Sequence, residues 1–267
     1  EPARAEDAGR QAIAIQPRHP FAIHAVTHAL LEQGRVAEGA KWLESTAADW
    51  ATGSGLAGHH WWHAALFHLE TGRIDRTLAI FDASFAPRAG AVAIDAADAS
   101  ALLWRLHLEG VDVGERWRAI ADLWAPRAAD AFWPLLDLHA MMAFAAAGRD
   151  AEARSLGAFL EAAAKGRGEN AAAVRDVGLP VARAIRAFAR EQYGRAVDLL
   201  LPVRGDIHRL GGSRAQREVL ELTALEAAIR SGRGQVAREL AGERAKIAPP
   251  TPRSRMQAAR AAFQMAA

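Results

Sequence analysis

Two pairs of histidines near the start of the chain have a spacing that suits metal chelation from a helix. His24 and His28 are four residues apart, and so are His59 and His63. Side chains at positions i and i+4 of an α-helix project from the same face, so both imidazoles of a pair can bind one transition metal ion. Neither pair contains the glutamate of the His-Glu-x-x-His zinc-protease motif. The spacing therefore predicts candidate metal ligands without indicating that class of protease.

Alternatives to a metal remain open for these histidines. They are also compatible with solvated or hydrogen-bonded side chains that bind no ion, and an imidazole that titrates near neutral pH can act as a general acid or base. Ser100 is a conceivable nucleophile, although it lacks the Gly-x-Ser-x-Gly surroundings of a nucleophile elbow. Asp137, two residues before His139, is a conceivable oxygen ligand.

A repeated turn indicates the helices that must position these residues. Four helical stretches end in the similar phrases LEQGRVAEG, LETGRIDRT, LEGVDVGER and AAGRDAEAR, whose glycines recur every 38 residues. Glycine after a helical run is a stop signal, and a short polar turn lets a second helix fold back. We therefore expect one all-α domain over residues 1–267, a tetratricopeptide-like superhelix that is a solenoid of antiparallel helix pairs. The turn residues are Gly34, Gly72, Gly110 and Gly148, with looser copies centred near Glu191 and Gly232.

Counting back from each turn residue separates two faces of the first helix of each pair. Apolar residues recur eight and four positions before the turn, as at Val26 and Leu30, and define a face that packs on neighbouring helices. Positions thirteen, ten, nine and six before the turn lie on the opposite side, within an arc of about 100°. We expect this side to line one concave groove, with Trp62 at its edge and Trp61 on the packing side. The predicted lining is His24, His28, His59, His63, Ser100, Trp104 and His139, and its five histidines are the candidate metal ligands.

A glycine-rich turn in the C-terminal part of the chain offers a second kind of site. Gly211 and Gly212 precede Ser213, which is placed to cap the start of a helix. A helix start can receive an anion, and Arg217, one turn further on, would add positive charge. Arg217 is therefore a candidate ligand-binding residue, with simple helix capping as the alternative.

Composition limits the class of protein. The 33 basic residues exceed the 31 acidic ones by only two and are interspersed with them, so no basic stripe for nucleic acid is present. The absence of cysteine excludes disulfides and thiolate metal sites. No apolar run approaches the roughly 18 residues that a membrane span needs. We expect a cytoplasmic protein that binds neither nucleic acid nor membranes, with its oligomeric state left open.

Longer strings of the sequence resemble a known family. HAVTHALLEQGR, HHWWHAALFHLETG, DASALLWRLHLEGVDVGERW, DLHAMMAF and LLLPVRGDIHRLGGSRAQRE resemble the tetratricopeptide repeat protein 38 family and its bacterial homologues, and the resemblance runs from about Pro17 to Ile229. It implies a helical repeat fold and a cytoplasmic protein, and it supplies no established activity. Family members are longer at the N-terminus, and the first helix, expected at about Ala3 to Ile15, looks like the second helix of a pair. The resemblance thus implies an N-terminally truncated chain.

The family pattern also matches individual positions. It places aspartate at Asp98 and Asp137, and its Gly-Gly-Ser-x-Ala-Gln-Arg motif matches Gly211 to Arg217. His60 stands where asparagine is common, and Glu218 stands where aspartate is expected. The histidines that the pattern matches are His24, His28, His59, His63 and His139, the same five that the register analysis selects.

Two functions are consistent with these residues. The first is a non-catalytic scaffold that binds a small molecule or a peptide in a groove lined by histidine and tryptophan, as repeat arrays commonly do. The alternative is a hydrolase-like enzyme, metal-dependent or histidine-based, that uses the same groove histidines. A divalent transition metal is the cofactor that a metal-dependent enzyme would use there. Whether the protein is an enzyme stays open at this point.

Overall fold

Every regular element in the described part of the chain is helical. The structure is a computed structural model, and it describes residues 1–85, 93–128 and 133–263. The all-α prediction is therefore confirmed, as the alanine-rich sequence with its scarce β-branched runs indicates. None of the described helices is long and apolar enough to cross a membrane.

The described residues form two compact units. The first unit takes residues 1–85 and 238–263, and the second takes 93–128 and 133–237. The first unit contains α1 (Pro2–Ile15), α2 (Pro20–Glu32), α3 (Val36–Ser45), α4 (Ala47–Trp50), α5 (Ala57–Glu70), α6 (Ile74–Ile80) and a π-helix (Phe81–Phe85). The second contains α7 (Ala93–Leu108), α8 (Arg116–Trp124), α9 (Pro134–Ala146), α10 (Asp150–Ala163), α11 (Glu169–Ala173), α12 (Leu179–Ala189), α13 (Tyr193–Leu200) and α14 (Arg214–Arg230). α15 (Gly234–Ile247) begins in the second unit and continues in the first, which α16 (Pro252–Phe263) completes.

All six predicted turn residues end a helix in the left-handed backbone conformation. Their φ angles lie between 60° and 77°. In each case the N–H of the following residue donates to the carbonyl five residues back, which satisfies a helix-end acceptor. These pairs are Arg35 to Leu30, Arg73 to His68, Val111 to Leu106, Arg149 to Phe144, Gln192 to Ala187 and Arg233 to Ala228.

Glu191 is the one turn residue of the six that is not glycine, and its φ is 60°. The left-handed conformation costs a residue with a Cβ about 1–2 kcal/mol. Replacement by glycine removes this cost, but glycine also has a larger entropy in the unfolded chain, which offsets part of the gain. We expect Glu191→Gly to raise the free energy of unfolding by up to about 1 kcal/mol, measured by urea denaturation. Glu191→Ala keeps the strain and should give no such gain. Equal stability of the two variants would therefore contradict the presence of backbone strain at Glu191.

In the first unit, α3 packs against both α2 and α5. Gly39 on α3 makes the second of these contacts close, because the ring of Phe67 on α5 occupies the space that a Cβ on Gly39 would need. Phe67 is fully buried. The absence of a side chain on Gly39 therefore lets the Phe67 ring pack directly on the α3 backbone, which positions the helix that carries His59 and His63.

Helix α16 contacts the same end of α5. Glu70, the last residue of α5, accepts hydrogen bonds from Thr251 Oγ1 at 2.6 Å and from Arg253 Nη1 at 3.0 Å. Arg253 is buried. Loss of one partner of a buried ion pair strongly destabilises a protein, because the other charge is left without compensation. This contact ties α16 to the histidine-bearing helix within the first unit.

In the second unit, the first helices of the pairs close on one another. α7 packs on α9, α9 on α12, α12 on α14, and α14 on α7. The faces that these helices turn toward one another therefore form an interior. This arrangement differs from the open concave groove that the register analysis predicts for α7 and α9.

Candidate metal centre

Helices α2 and α5 bring four of the five predicted histidines into one cluster. One ring nitrogen from each of His24, His28, His59 and His63 lies within 4.8 Å of the others. The ring centroids of His24 and His28 are 4.5 Å apart, those of His59 and His63 are 4.7 Å apart, and those of His28 and His63 are 4.6 Å apart. Each i, i+4 pair thus faces the other pair, and the predicted convergence of these four side chains is confirmed. We call them the four-histidine cluster.

The apolar residues of α2 explain why its two histidines point to α5. Val26 and Leu30 are fully buried, as their register predicts, and Val26 packs against the α1 backbone at Gly9. His24 and His28 lie on another side of the same helix and are partly buried. Two faces of one helix are therefore used, one for packing and one for the cluster.

The dimensions of the four-histidine cluster fit a single transition metal ion. His24 Nε2 and His59 Nε2 are 3.0 Å apart. Two imidazole nitrogens bound to a tetrahedral Zn²⁺ at about 2.1 Å are about 3.4 Å apart. Side-chain adjustments on the order of 1 Å would bring all four nitrogens onto one ion. The donor set consists of nitrogen alone, which suits zinc, copper, nickel or iron better than magnesium or calcium.

His63 is the member of the cluster whose environment most needs a ligand. Its side chain is fully buried, and neither ring nitrogen has a hydrogen-bond partner among the described residues. A buried polar atom without a partner costs about 1–3 kcal/mol. Coordination of one ring nitrogen to a metal ion would remove part of that cost, because the nitrogen lone pair would be used.

The surroundings of His24, His28 and His63 keep these three imidazoles neutral. Burial, followed by the charges that His28, His59 and His60 would carry, lowers the pKa of His24 to about 3. Burial and His59 lower the pKa of His28 to about 4. The pKa of His63 is also lowered, by burial first and then by its histidine neighbours. Neutral imidazole is the form that binds metal, so these side chains are ready for an ion at neutral pH.

Aromatic rings surround the cluster in a different arrangement from the predicted one. The register places Trp62 at the groove edge and Trp61 in the core. The structure buries Trp62 fully, with its ring stacked on His59 at 5.1 Å and 21°, and leaves Trp61 partly exposed against Trp50 at 4.7 Å. His60 is also fully buried and meets Trp50 edge-on at 5.1 Å. The packing of Trp62 thus fixes the plane of one candidate ligand.

Ser100 and Trp104, predicted to line the groove, lie in the interior of the second unit. Both are fully buried. The Ser100 hydroxyl donates to Ala96 O at 2.8 Å and accepts from Trp124 Nε1 at 2.9 Å, so it is engaged as a structural group and not as a nucleophile. Trp104 Nε1 donates to Thr223 Oγ1 on α14 at 2.9 Å. The closure of α14 on α7 is the physical reason for the difference.

His139 and Asp137 belong to the same interior. His139 is 1% exposed, and its Nδ1 is 2.6 Å from Leu135 O, which makes this nitrogen the donor. Burial lowers the pKa of His139. Asp137 is buried as well. His139 is not a member of the four-histidine cluster, so the structure brings together four of the five candidate metal ligands.

Arg217 is engaged with the turn predicted to bind an anion. Its Nη1 donates to Gly211 O at 3.1 Å and also to Gly212 O. Ser213 caps α14, and the side chain of Gln216 returns to the Ser213 N–H in a capping box. The simple capping interpretation therefore accounts for these residues, and Arg217 stabilises the turn.

The polar contacts by which α14 closes the second unit are not predicted by the sequence patterns. Gln216 Nε2 donates to Asp98 Oδ1 at 3.3 Å, and Arg105 Nη2 donates to Ala215 O at 2.6 Å. One signal is present, since Thr223 lies nine residues before its turn residue, as His63 and His139 do in two earlier repeats. That signal indicates a shared face but does not say that α14 meets α7.

No family model matches this chain, and no solved structure matches it. The fold and the geometry of the four-histidine cluster therefore carry the functional proposal.

Proposed function

We propose that the protein binds a divalent transition metal ion through His24, His28, His59 and His63. The observation that carries the proposal is the buried His63 ring, which has no hydrogen-bond partner in the described part of the chain. One ring nitrogen of His63 lies within 4.8 Å of a ring nitrogen of each of the other three histidines. A nitrogen lone pair without a partner is costly in a buried site and useful to a metal. The lowered pKa values of His24 and His28 support the same function, because protons do not compete with a metal at neutral pH.

The same pKa values disfavour a histidine-based hydrolase without a metal. A general acid or base works best when its pKa lies near the operating pH. The pKa values of about 3 and 4 for His24 and His28 lie far below neutrality. Peptide capture in an open groove is disfavoured too, because Trp62, Ser100 and Trp104 are fully buried. Metal binding is compatible with both observations, and a metal-dependent hydrolase is the alternative that would use the same ion.

The fold and the family are part of the proposal. We propose that the helix pairs are tetratricopeptide-like, that they build a superhelix, and that the chain is a bacterial relative of the tetratricopeptide repeat protein 38 family. The support is the left-handed turn residue that ends the first helix of each pair, together with the 38-residue interval from Gly34 to Gly148. We place the protein in the cytoplasm on the same resemblance.

Metal titration of protein purified without a polyhistidine tag tests the proposed function. We expect one Zn²⁺ or Co²⁺ per chain. Loss of a residue that only supports a metal ligand typically weakens metal binding by about 10- to 100-fold. Loss of a ligand itself should cost more, so we expect His63→Ala to weaken metal binding by roughly 100-fold or more. Competition with a chromogenic chelator measures the affinity, and circular dichroism verifies that the variant remains helical.

His68→Gln is the matched control for this experiment. His68 is a buried histidine on the same helix, but its Nε2 is 3.1 Å from Glu44 Oε1 and it is outside the four-histidine cluster. The control should retain one metal ion of unchanged affinity. If His63→Ala and His68→Gln bind the metal as tightly as the parent, the proposed function is wrong.

A further inference from the structure

The donors of the four-histidine cluster bring no negative charge to a bound ion. Imidazole binds a metal in its neutral form. Among the described residues, the cluster contains histidines and no carboxylate. A divalent ion held there keeps its two positive charges in surroundings that are largely buried. Uncompensated charge in a buried environment is unfavourable, and an anion close to it is correspondingly favoured.

The burial of the cluster is unequal on its two helices. His59 is 7% exposed and His63 is fully buried, and both belong to α5. His24 and His28, on α2, are only partly buried. Solvent therefore reaches the cluster on the α2 side. A ligand that comes from solution would approach the metal past these two rings.

We propose that the metal in this site takes a small monoanion from solution, with an oxygen or nitrogen donor atom, as an additional ligand. The inference rests on the proposed function and adds the chemical class of the ligand. Three features favour it together: the neutral donor set, the buried position of His59 and His63, and the solvent access beside His24 and His28. Transition metals with imidazole ligands can expand from four to five ligands, so all four histidines can stay bound.

The protein loaded with Co²⁺ tests this inference, with azide and acetate as probes. Cobalt is useful here because its visible absorption depends on the number of its ligands. We expect azide to shift the visible bands in a saturable way, with one azide per cobalt, and acetate to produce a shift at higher concentration. Perchlorate at the same ionic strength coordinates poorly and should leave the spectrum unchanged. A chelator assay after each titration verifies that cobalt has stayed on the protein.

The outcomes separate this inference from the proposed function. If the cobalt spectrum forms, is lost in His63→Ala, and is unchanged by azide and acetate, the metal site is closed and the anion inference is overturned, while metal binding stands. The anion inference is also overturned if azide binds only to His28→Ala, because an opened ligand position is then required. If no cobalt spectrum forms in the parent protein, the proposed function fails, and the anion inference fails with it.

Discussion

Acidifying the metal-free protein from pH 6.5 to pH 4 is expected to lower its free energy of unfolding by several kcal/mol. Burial and the neighbouring histidines lower the pKa of His24 to about 3 and that of His28 to about 4 in the folded chain. In the unfolded chain the same imidazoles have the ordinary pKa of 6.5. Between these values the unfolded chain binds more protons, so stability falls as the pH falls. From about one pH unit above 6.5 both states are neutral at these residues, and this dependence disappears.

His28 alone gives the expected size of this effect. One pKa unit corresponds to about 1.4 kcal/mol, so a change from 6.5 to about 4 corresponds to about 3 kcal/mol. The contributions of His24, His28 and His63 do not add, because a proton on one ring disfavours a proton on the next. The expected total is therefore larger than the contribution of one histidine but smaller than the sum of three.

Urea denaturation in the presence of a chelator, repeated at several pH values from 4 to 6.5, measures this effect. Carboxylates also titrate near pH 4, so a matched variant is needed to isolate the histidines. His28→Gln removes one imidazole while keeping a polar side chain of similar length, and its stability should depend less steeply on pH. The assignment would be contradicted if the parent and His28→Gln showed the same dependence.

Local signals explain why the helix pairs could be predicted. A glycine in the left-handed conformation ends a helix through contacts within a few residues. The turn can therefore be predicted from the local sequence without knowledge of distant contacts. The glycine pattern does not predict every turn, because the turn at Glu191 forms without glycine. The 38-residue interval still places the preceding four turns, and similarity of the flanking residues places this one.

The four-histidine cluster could be predicted because two independent local patterns agree. The i, i+4 spacing puts His59 and His63 on one face of α5, and the distance from Gly72 indicates which face it is. The partner pair on α2 follows from the same rule applied one repeat earlier. The distance between the two pairs is set by α3, where Gly39 allows close packing against Phe67. That distance is a tertiary property, and the sequence patterns do not contain it.

The surroundings of the cluster and the closure of the second unit could not be predicted for a related reason. A helical register assigns a side chain to a direction but not to the neighbour that it meets. Trp61 and Trp62 differ by one position, yet Trp61 contacts Trp50 while Trp62 stacks on His59. The register assigns the polar face of α7 to an open groove, but α14 covers this face through contacts between residues more than 100 positions apart in sequence, such as the hydrogen bond from Trp104 to Thr223.

Trp104→Ala is expected to lower the free energy of unfolding by about 3–5 kcal/mol. Trp104 is fully buried, and its Nε1 donates to Thr223 Oγ1 at 2.9 Å across the contact between α7 and α14. Its ring also lies 5.7 Å from Phe188 on α12, centroid to centroid. Truncation would leave a cavity where three of the four closed helices meet, and a cavity adds to the lost burial of apolar surface.

Trp104→Phe separates the cavity from the hydrogen bond. It keeps most of the ring volume and removes the indole N–H, so we expect a loss of about 1–2 kcal/mol. Urea denaturation followed by far-UV circular dichroism measures both variants. A tryptophan that lined an open groove for a ligand would behave differently, because its removal would leave a surface that water covers and would change stability by less than about 0.5 kcal/mol. Stability of Trp104→Ala within that margin of the parent would therefore show that α14 does not close on α7 in solution, and the open groove would again be the better description of the second unit.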